Sequence, residues 1–218
     1  MSSYRYLTFD CYGTLIDWKV GIETALRRSF KVPIGGKALL DAYVEAEKQE
    51  EASYKKYRDV LRNSALRLSR SLGFEASQSA ADAFAASLPT WPAFPDTKKA
   101  LQDLGRNGYR RHILSNVDTD LLQGTIANHG LEIEGFVTAE EVGSYKPNRG
   151  HWLAFFRKTG AKKEEVLHVA QSVYHDIIPA QEMSIASAWV NRYGEPLPQE
   201  AKPEFIVESM ESLAKLLG

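Results

Sequence analysis

The hydrophobic pattern of the chain changes twice. Residues 6–9 form a short apolar run, rich in aromatic and β-branched side chains, which predicts a buried β-strand. From Asp17 to about Pro92, apolar residues recur at helical spacing and no strand pattern interrupts them. Beyond Pro95, short apolar runs alternate with helical segments. Such alternation is typical of parallel βαβ units with right-handed crossovers, and it predicts an α/β fold.

The predicted elements are bounded by residues that break or cap them. Gly73 and Gly108 end two helices, Asp96 is expected to be an N-cap, and the proline-rich segment 89–95 is expected to be a rigid, non-helical connector. The pattern predicts helices at 18–30, 39–52, 54–72, 78–88, 96–107, 118–129, 148–159, 176–183 and 211–217, and further strands at 111–115, 136–138, 166–170, 185–190 and 204–207.

A helical insertion therefore separates the first strand from the rest of the α/β unit. We expect a core domain made of residues 1–16 and 93–218, and a helical cap domain made of residues 17–92. Because the insertion begins a few residues after the end of the first strand, it is well placed to act as a lid over that strand end.

Composition excludes several classes of function. The 218 residues include 27 basic and 28 acidic side chains, a net charge of -1, so nothing favours binding to nucleic acid. No apolar run approaches the roughly 18 residues of a membrane span, and the early first strand leaves no room for a signal peptide. A single cysteine, Cys11, excludes an internal disulfide. We expect a cytoplasmic protein that acts on a small molecule.

The segment after the first strand carries the first candidate chemistry. Asp10 lies where a parallel strand reaches its carboxyl end, and Gly13 allows a sharp exit. Asp10 is therefore a candidate nucleophile or metal ligand, although Asp before Gly is also common in structural turns. Cys11 should face away from Asp10 because side chains alternate in extended backbone, so it is not expected to be catalytic.

Polar side chains follow three later strand or loop segments as well. Taken singly, each has a structural interpretation: Ser115 and Asn116 as a helix-capping turn, Lys146 as a solvated loop residue, and Asp176 as a helix N-cap. The complete set is Asp10, Tyr12 and Thr14 after the first strand, then Ser115 and Asn116, then Lys146, and finally Gln171, Ser172 and Asp176.

The order and spacing of this set resemble the haloacid dehalogenase superfamily of hydrolases over essentially the whole chain. The resemblance implies a Rossmann-like core, a parallel sheet flanked by helices, with an inserted helical cap. Asp10, Tyr12, Gly13 and Thr14 match the Asp-x-Tyr-Gly-Thr pattern of the type II L-2-haloacid dehalogenases. The phosphatases of the superfamily usually carry a second aspartate where this chain has Tyr12.

This resemblance implies two-step nucleophilic catalysis on a small 2-substituted carboxylic acid. Asp10 would displace a leaving group from the α-carbon and form an aspartyl ester, which water then hydrolyses. Lys146 would keep Asp10 charged and lower its pKa, and Thr14 would hold it by a hydrogen bond. The resemblance assigns Tyr12, Ser115, Asn116, Gln171 and Ser172 to the substrate side of the site, with Ser115 and Asn116 binding the carboxylate, and Asp176 to the hydrolytic water.

The same resemblance implies that no cofactor is needed. Halide is a good leaving group, whereas phosphate esters need an acid and usually Mg²⁺. The phosphatases place an acid where Gln171 stands, so only Asp10 and Asp176 remain as ligands if a metal binds. Mg²⁺ would be expected only if the protein were a phosphatase acting on a small ester.

The cap departs from the dehalogenase pattern. Those enzymes use a cap arginine to grip the substrate, but residues 42–51 contain no arginine and are acidic. The simplest interpretation of these glutamates is a solvated helix face; alternatively, Glu47 faces the site and binds a cationic group. The glutamates are Glu45, Glu47, Glu50 and Glu51.

Other functions therefore stay open. Segments 142–148 and 172–180, which include His175, are similar to azetidine-2-carboxylate hydrolases, so ring opening of a small cyclic imino acid is one alternative. A phosphatase is a second, and a non-catalytic binding protein is a third. His175 and Trp152 are expected to pack. Dehalogenases of this type often dimerise, so the resemblance makes a homodimer possible, although no residue of the sequence proves it.

Overall fold

The computed structural model describes residues 4–218, and its centre is a sheet of six parallel strands. The order across the sheet is β3-β2-β1-β4-β5-β6, so the first strand of the chain lies between β2 and β4. The α/β fold predicted from the sequence is confirmed. The strands are β1 (Tyr6–Phe9), β2 (Arg110–Ser115), β3 (Gly135–Thr138), β4 (Val166–Ala170), β5 (Ala186–Val190) and β6 (Phe205–Val207).

The helices follow the predicted order, and most of their ends differ from the predictions by one to three residues. Gly73 ends the third helix in the left-handed conformation, as expected. The helices are α1 (Trp18–Ser29), α2 (Gly36–Glu50), α3 (Tyr57–Leu72), α4 (Gln78–Ala86), α5 (Thr97–Arg106), α6 (Thr119–His129), α7 (Ala139–Val142), α8 (Gly150–Thr159), α9 (Ile178–Glu182) and α10 (Met210–Leu217).

Strand β1 is buried along its whole length. Leu7 and Phe9 are fully buried in the main hydrophobic cluster, and each contributes about 2–3 kcal/mol by leaving water. A central parallel strand has helices on both faces of the sheet, which explains why its sequence is a continuous apolar run. The carboxyl end of β1, where Asp10 follows, is thereby held rigidly at the middle of the sheet.

Helices α1 to α4 lie between β1 and α5 in the chain, in the segment predicted to be a cap. Their buried side chains, such as Leu26, Tyr43 and Leu68, belong to the same hydrophobic cluster as Leu7 and Phe9 of β1. Because this cluster is continuous, the division into core residues 1–16 and 93–218 and cap residues 17–92 stays a prediction.

Three local features differ from the sequence prediction. A 3₁₀ turn, Leu88–Thr90, occupies the start of the connector expected to be non-helical. A π-helical turn, Val173–Ile177, precedes α9, so the helix predicted to begin at Asp176 begins earlier and with a wider turn. The short helix α7 was not predicted, because four residues carry too little periodicity to be recognised.

Asp96 occupies the N-cap position of α5, as the sequence predicted, but its side chain makes no capping bond to that helix and bonds the start of α10 instead. Its Oδ2 accepts a hydrogen bond of 2.7 Å from the N–H of Met210, at the start of α10. The guanidinium of Arg192 donates to both carboxylate oxygens and also to the backbone oxygen of Thr14. Asp96 and Arg192 therefore tie the carboxyl-terminal helix to the turn that follows β1.

Within residues 4–218, no helix is both long enough and apolar enough to cross a membrane.

We expect Asp96→Ala to lower the free energy of unfolding by about 3 kcal/mol, because the Arg192 guanidinium would stay buried without a carboxylate partner. Denaturant unfolding measures this loss. Asp41→Ala, which removes an exposed carboxylate from a surface pair with Lys37, is the matched control and should cost much less. Equal losses in the two variants would contradict the assignment.

Candidate active site

The turn after β1 presents Asp10 to a cavity while fixing its backbone. The N–H of Asp10 donates to the oxygen of Val169 at 3.0 Å, so the residue continues the pairing of β1 with β4. Gly13 has a φ of 108°, which side-chain-bearing residues rarely adopt, and an added Cβ would lie 3.2 Å from Oε1 of Gln171. The glycine in this turn is therefore required both by backbone conformation and by space.

Lys146 is buried, with 2 % of its surface exposed, and its ammonium group contacts both candidate carboxylates. Nζ donates to Oδ1 of Asp10 at 2.9 Å, to Oδ1 of Asp176 at 2.6 Å and to the backbone oxygen of Leu114 at 2.9 Å. These three bonds use all three ammonium protons. The interpretation of Lys146 as a solvated loop lysine is wrong.

Thr14 holds the other oxygen of Asp10. Its Oγ1 donates to Oδ2 of Asp10 at 2.9 Å and accepts from the N–H of Gln171 at 2.9 Å. Both carboxylate oxygens of Asp10 are thus in contact with fixed donors, and Asp10 is 8 % exposed. A carboxylate held in this way loses little rotational freedom when it reacts.

Burial and charge act in opposite directions on the carboxyl groups. Burial raises the pKa of Asp10, and although Lys146 and Thr14 lower it, the pKa stays above the usual value. Lys146 thus lowers this pKa, as the sequence predicted, but desolvation and the Asp176 charge outweigh its effect and the net shift is upward. Burial also acts to raise the pKa of Asp176, but Lys146 and His168 more than offset the effect of burial. The pKa of Asp176 therefore lies well below its usual range.

Asp176 lies inside the π-helical turn, so it is not the N-cap that the alternative interpretation suggested. Ser172 is the cap: its Oγ accepts from the N–H of His175 at 3.1 Å. Oδ1 of Asp176 lies 2.9 Å from Nε2 of His168, and Nδ1 of His168 lies 2.8 Å from Oγ1 of Thr8. Because the ionised carboxylate only accepts, Nε2 carries the proton and Nδ1 accepts from Thr8.

Thr8 and His168 are functional neighbours that the sequence reasoning missed. They are fully buried and face each other in the register of β1 and β4. The available signal was a polar residue in the middle of each of two otherwise apolar strands, since buried polar groups need partners. His168 orients the carboxylate of Asp176 from below the site.

Ser115 and Asn116 have different roles in the structure. Ser115 lines the cavity, and its buried Oγ has no hydrogen-bond partner within residues 4–218, so it is not a capping group. The side chain of Asn116 instead bonds the backbone of Lys146: Nδ2 donates to its oxygen at 3.1 Å and Oδ1 accepts from its N–H at 2.6 Å. Asn116 lines the cavity, but its amide positions the lysine loop.

Tyr12 and Gln171 also line the cavity, and neither brings a carboxylate. The hydroxyl of Tyr12 lies 2.7 Å from Oγ1 of Thr125, and its ring packs edge-on against Trp91. Cys11 is fully buried in the hydrophobic cluster, and burial raises the pKa of its thiol. Cys11 is absent from the cavity wall, which agrees with the expected alternation of side chains.

Helix α2 supplies an acidic wall to the same cavity. Oε1 of Glu47 accepts from the hydroxyls of Tyr57 at 2.8 Å and Tyr43 at 3.2 Å, and burial raises the pKa of Glu47. Glu50 is buried in ion pairs with Lys55 and Arg67. The solvated-face interpretation therefore holds for Glu45, which is exposed, and fails for Glu47 and Glu50.

The cavity between these walls has a volume of about 280 Å³. This size suits a small molecule and not a polymer. Trp152 lies outside the cavity and is fully buried against His168, so the packing role expected for Trp152 fits the structure. His175, also expected to pack, lines the cavity. The lining residues are Asp10, Tyr12, Trp18, Ile22, Val44, Glu47, Glu51, Tyr57, Trp91, Ser115, Asn116, Val117, Lys146, Gln171, Ser172, His175 and Asp176.

The donor set fits a divalent metal poorly. Within residues 4–218, no cluster of three or more His, Cys, Asp or Glu side chains could hold a metal ion. Asp10 and Asp176, the two expected ligands, each already contact the Lys146 ammonium. Mg²⁺ needs octahedral oxygen coordination, and a cation placed here would compete with a buried lysine.

Comparison with known proteins identifies the class. Residues 4–183 match the family model described as haloacid dehalogenase-like hydrolase, so the chain belongs to this family of hydrolases. The resemblance noted in the sequence is thereby confirmed at the level of family, fold and enzyme class.

Particular relatives within the family cover almost the full chain. Haloacetate dehalogenase H-2 of Moraxella sp. (strain B) is 23% identical over 100% of both chains. (S)-2-haloacid dehalogenase 4A of Burkholderia cepacia is 26% identical over 100% of this chain and 96% of its own. The structure of L-2-haloacid dehalogenase from Xanthobacter autotrophicus with chloropropionic acid covalently bound superimposes with a TM-score of 0.85 at 22% identity, covering 98% of each chain.

We expect Asp10→Asn to stabilise the fold by about 1 kcal/mol at pH 7, because it removes a charge whose burial is incompletely compensated. A raised folded-state pKa favours folding of the protonated form. The difference in free energy of unfolding between Asp10→Asn and the parent should therefore be absent below the unfolded-state pKa of aspartate. It should grow as pH rises through the folded-state pKa of Asp10.

Urea unfolding of both proteins from acid to neutral pH tests this. Asp120→Asn, which alters an exposed carboxylate paired with Arg58, is the control and should show no such growth. If Asp10→Asn were less stable than the parent at pH 7, the attraction of Lys146 would outweigh the free-energy cost of burying the Asp10 charge.

Proposed function

We propose that this hydrolase is a 2-haloacid dehalogenase that acts on short (S)-2-halo carboxylic acids through an ester of Asp10. One observation carries the proposal: Lys146 and Thr14 hold Asp10 in the wall of a small cavity that is also lined by Ser115, whose hydroxyl has no partner within residues 4–218. The named activities of the relatives over nearly their full length support the same chemistry.

The first step is displacement at carbon. A carboxylate oxygen of Asp10 attacks the α-carbon, the new C–O bond forms, and the halide leaves with the electron pair of the broken bond. Lys146 and Thr14 keep the carboxylate ionised and aimed, although burial makes this charge less stable than in water. A desolvated carboxylate is a stronger nucleophile than a hydrated one, so the raised pKa of Asp10 favours this step.

The second step is hydrolysis of the ester. Water attacks the carbonyl carbon of the Asp10 ester, and cleavage of the acyl C–O bond releases the 2-hydroxy acid and regenerates the carboxylate. Asp176, fixed by Lys146 and His168, lines the cavity as an ionised acceptor that orients this water. Lys146 would stabilise the oxyanion that forms on the attacked carboxyl group.

The substrate carboxylate is proposed to bind at Ser115. Ser115 and Asn116 both line the cavity, and the hydroxyl of Ser115 has no hydrogen-bond partner within residues 4–218. Asn116 would act mainly by fixing the Lys146 loop. Tyr12, Gln171 and Ser172 would shape the walls of the cavity.

We propose that the reaction needs no metal, since displacement of halide requires neither a proton donor nor phosphoryl charge neutralisation. The phosphatase and ring-opening alternatives find less support: Tyr12 and Gln171 supply no acid, and the full-length relatives carry dehalogenase names.

The cytoplasmic location and the homodimer stay predictions, and light scattering of the purified chain tests the homodimer.

We expect the purified protein to release chloride from (S)-2-chloropropionate with equal rates in the presence of Mg²⁺ and of a chelator, and to leave a generic phosphate ester intact. Asp10→Asn should reduce chloride release at least about 10³-fold, as expected for loss of a nucleophile. Chloride titration and phosphate release measure the two reactions. Chelator-sensitive phosphate release without dechlorination would overturn the proposal in favour of a phosphatase.

A further inference from the structure

Two acidic side chains at the end of α2 line the cavity that contains Asp10, and neither has an ion-pair partner within residues 4–218. Glu47 lies in the last turn of α2, and Glu51 is its C-cap residue, whose N–H donates to the backbone oxygen of Glu47. Lys146 is the one lysine or arginine that lines this cavity within residues 4–218. Its three protons are already bonded to Asp10, Asp176 and Leu114, so it is not available to the α2 carboxylates.

Glu47 is held as an acceptor with one free oxygen. Two tyrosine hydroxyls, from Tyr43 and Tyr57, donate to Oε1, an arrangement that favours the ionised carboxylate and fixes its direction. Oε2 has no hydrogen-bond partner among the described residues. A carboxylate that has one oxygen held by two donors and the other without a partner is suited to accept a hydrogen bond from a ligand.

Glu51 is the second carboxyl group of this wall. Burial and the neighbouring charge of Glu47 raise the pKa of Glu51 to about 8, so Glu51 is protonated at neutral pH when no cation is bound. A cation bound between the two groups would favour the ionised form of Glu51. The charge complement of the wall is therefore positive, whereas the carboxylate of a simple halo acid gains nothing from it.

An independent observation concerns another wall of the same cavity. Ser115 lines the cavity, and its buried Oγ has no partner in the described part of the chain. A buried hydroxyl left unsatisfied costs free energy unless a ligand completes its bonds. The cavity thus offers a donor on the core wall and acceptors on the α2 wall.

We propose that Glu47 and Glu51 bind a substrate ammonium group, so that the preferred substrates are short 2-halo carboxylic acids with a protonated amine at the far end. The displacement step of this proposal rests on the proposed function; the ammonium site does not. The amine takes no part in bond making, and halide leaves from the α-carbon as before. The cavity of about 280 Å³ accommodates a chain of a few carbons between the two charged ends.

An isosteric pair of unreactive ligands tests the site without the reaction. Pentanoate and 4-aminobutyrate differ only in a terminal methyl or ammonium group. Calorimetric titration of the wild-type protein should give at least about tenfold tighter binding of 4-aminobutyrate, an effect of about 1.4 kcal/mol. Glu47→Gln, which retains an acceptor for the tyrosines, should abolish this preference, and Glu51→Gln should weaken it.

Glu45→Gln removes the same charge from the exposed side of α2 and should keep the full preference. Equal, weaker or undetectable binding of 4-aminobutyrate by the wild-type protein overturns the proposal. A preference for 4-aminobutyrate that survives in the folded Glu47→Gln,Glu51→Gln double variant also overturns it. If the double variant does not fold, a full preference retained by both single variants overturns it.

Chloride release from 2-chloropentanoate and 4-amino-2-chlorobutyrate separates this proposal from the proposed function. Release from both without preference for the amine leaves the dehalogenase function standing and removes the ammonium site. Preferential binding of 4-aminobutyrate without chloride release from either compound keeps the ammonium site and removes the dehalogenase function.

Discussion

The buried ammonium of Lys146, placed between the carboxylates of Asp10 and Asp176, is the interaction on which the site depends. Two carboxylates buried this close would repel each other strongly, and a cation between them makes the arrangement stable. The three groups come from the end of β1, from the loop after α7 and from the π-helical turn after β4. Any change that withdraws the lysine therefore disturbs the whole carboxyl edge of the sheet.

The supporting contacts follow from this constraint. Asn116 fixes the backbone of Lys146, Thr14 fixes Asp10, and His168 fixes Asp176, so each member of the charged group has its own positioning residue. All of these belong to the α/β part of the chain. Within residues 4–218, no hydrogen bond or ion pair joins Glu47 or Glu51 to this charged group.

Sequence alone predicted the elements, the parallel sheet and the convergence of four polar segments, because strand periodicity and the position of strand ends are local properties. It could not predict contacts that depend on long-range geometry. The side chain of Asp96 bonds the start of α10, more than one hundred residues away along the chain, and makes no capping bond to its own helix. The amide of Asn116 turns to a backbone and not to the substrate space. The sequence did not show whether the Glu47 side chain points to solvent or to the cavity, because α2 has acidic residues on several faces. The hydrogen bonds from Tyr43 and Tyr57 fix its direction in the folded protein.

Isotope labelling of Asp10 tests the central claim most directly. After many turnovers of (S)-2-chloropropionate in ¹⁸O-water, hydrolysis of the aspartyl ester should place ¹⁸O in the Asp10 carboxylate, because each cycle adds one solvent oxygen to that group. Trypsin releases residues 6–19 as one peptide, and fragmentation separates Asp10 from Asp17. Label at Asp10 is the predicted result. Labelled 2-hydroxy acid with an unlabelled Asp10 would contradict the account, since water would then attack the substrate carbon itself.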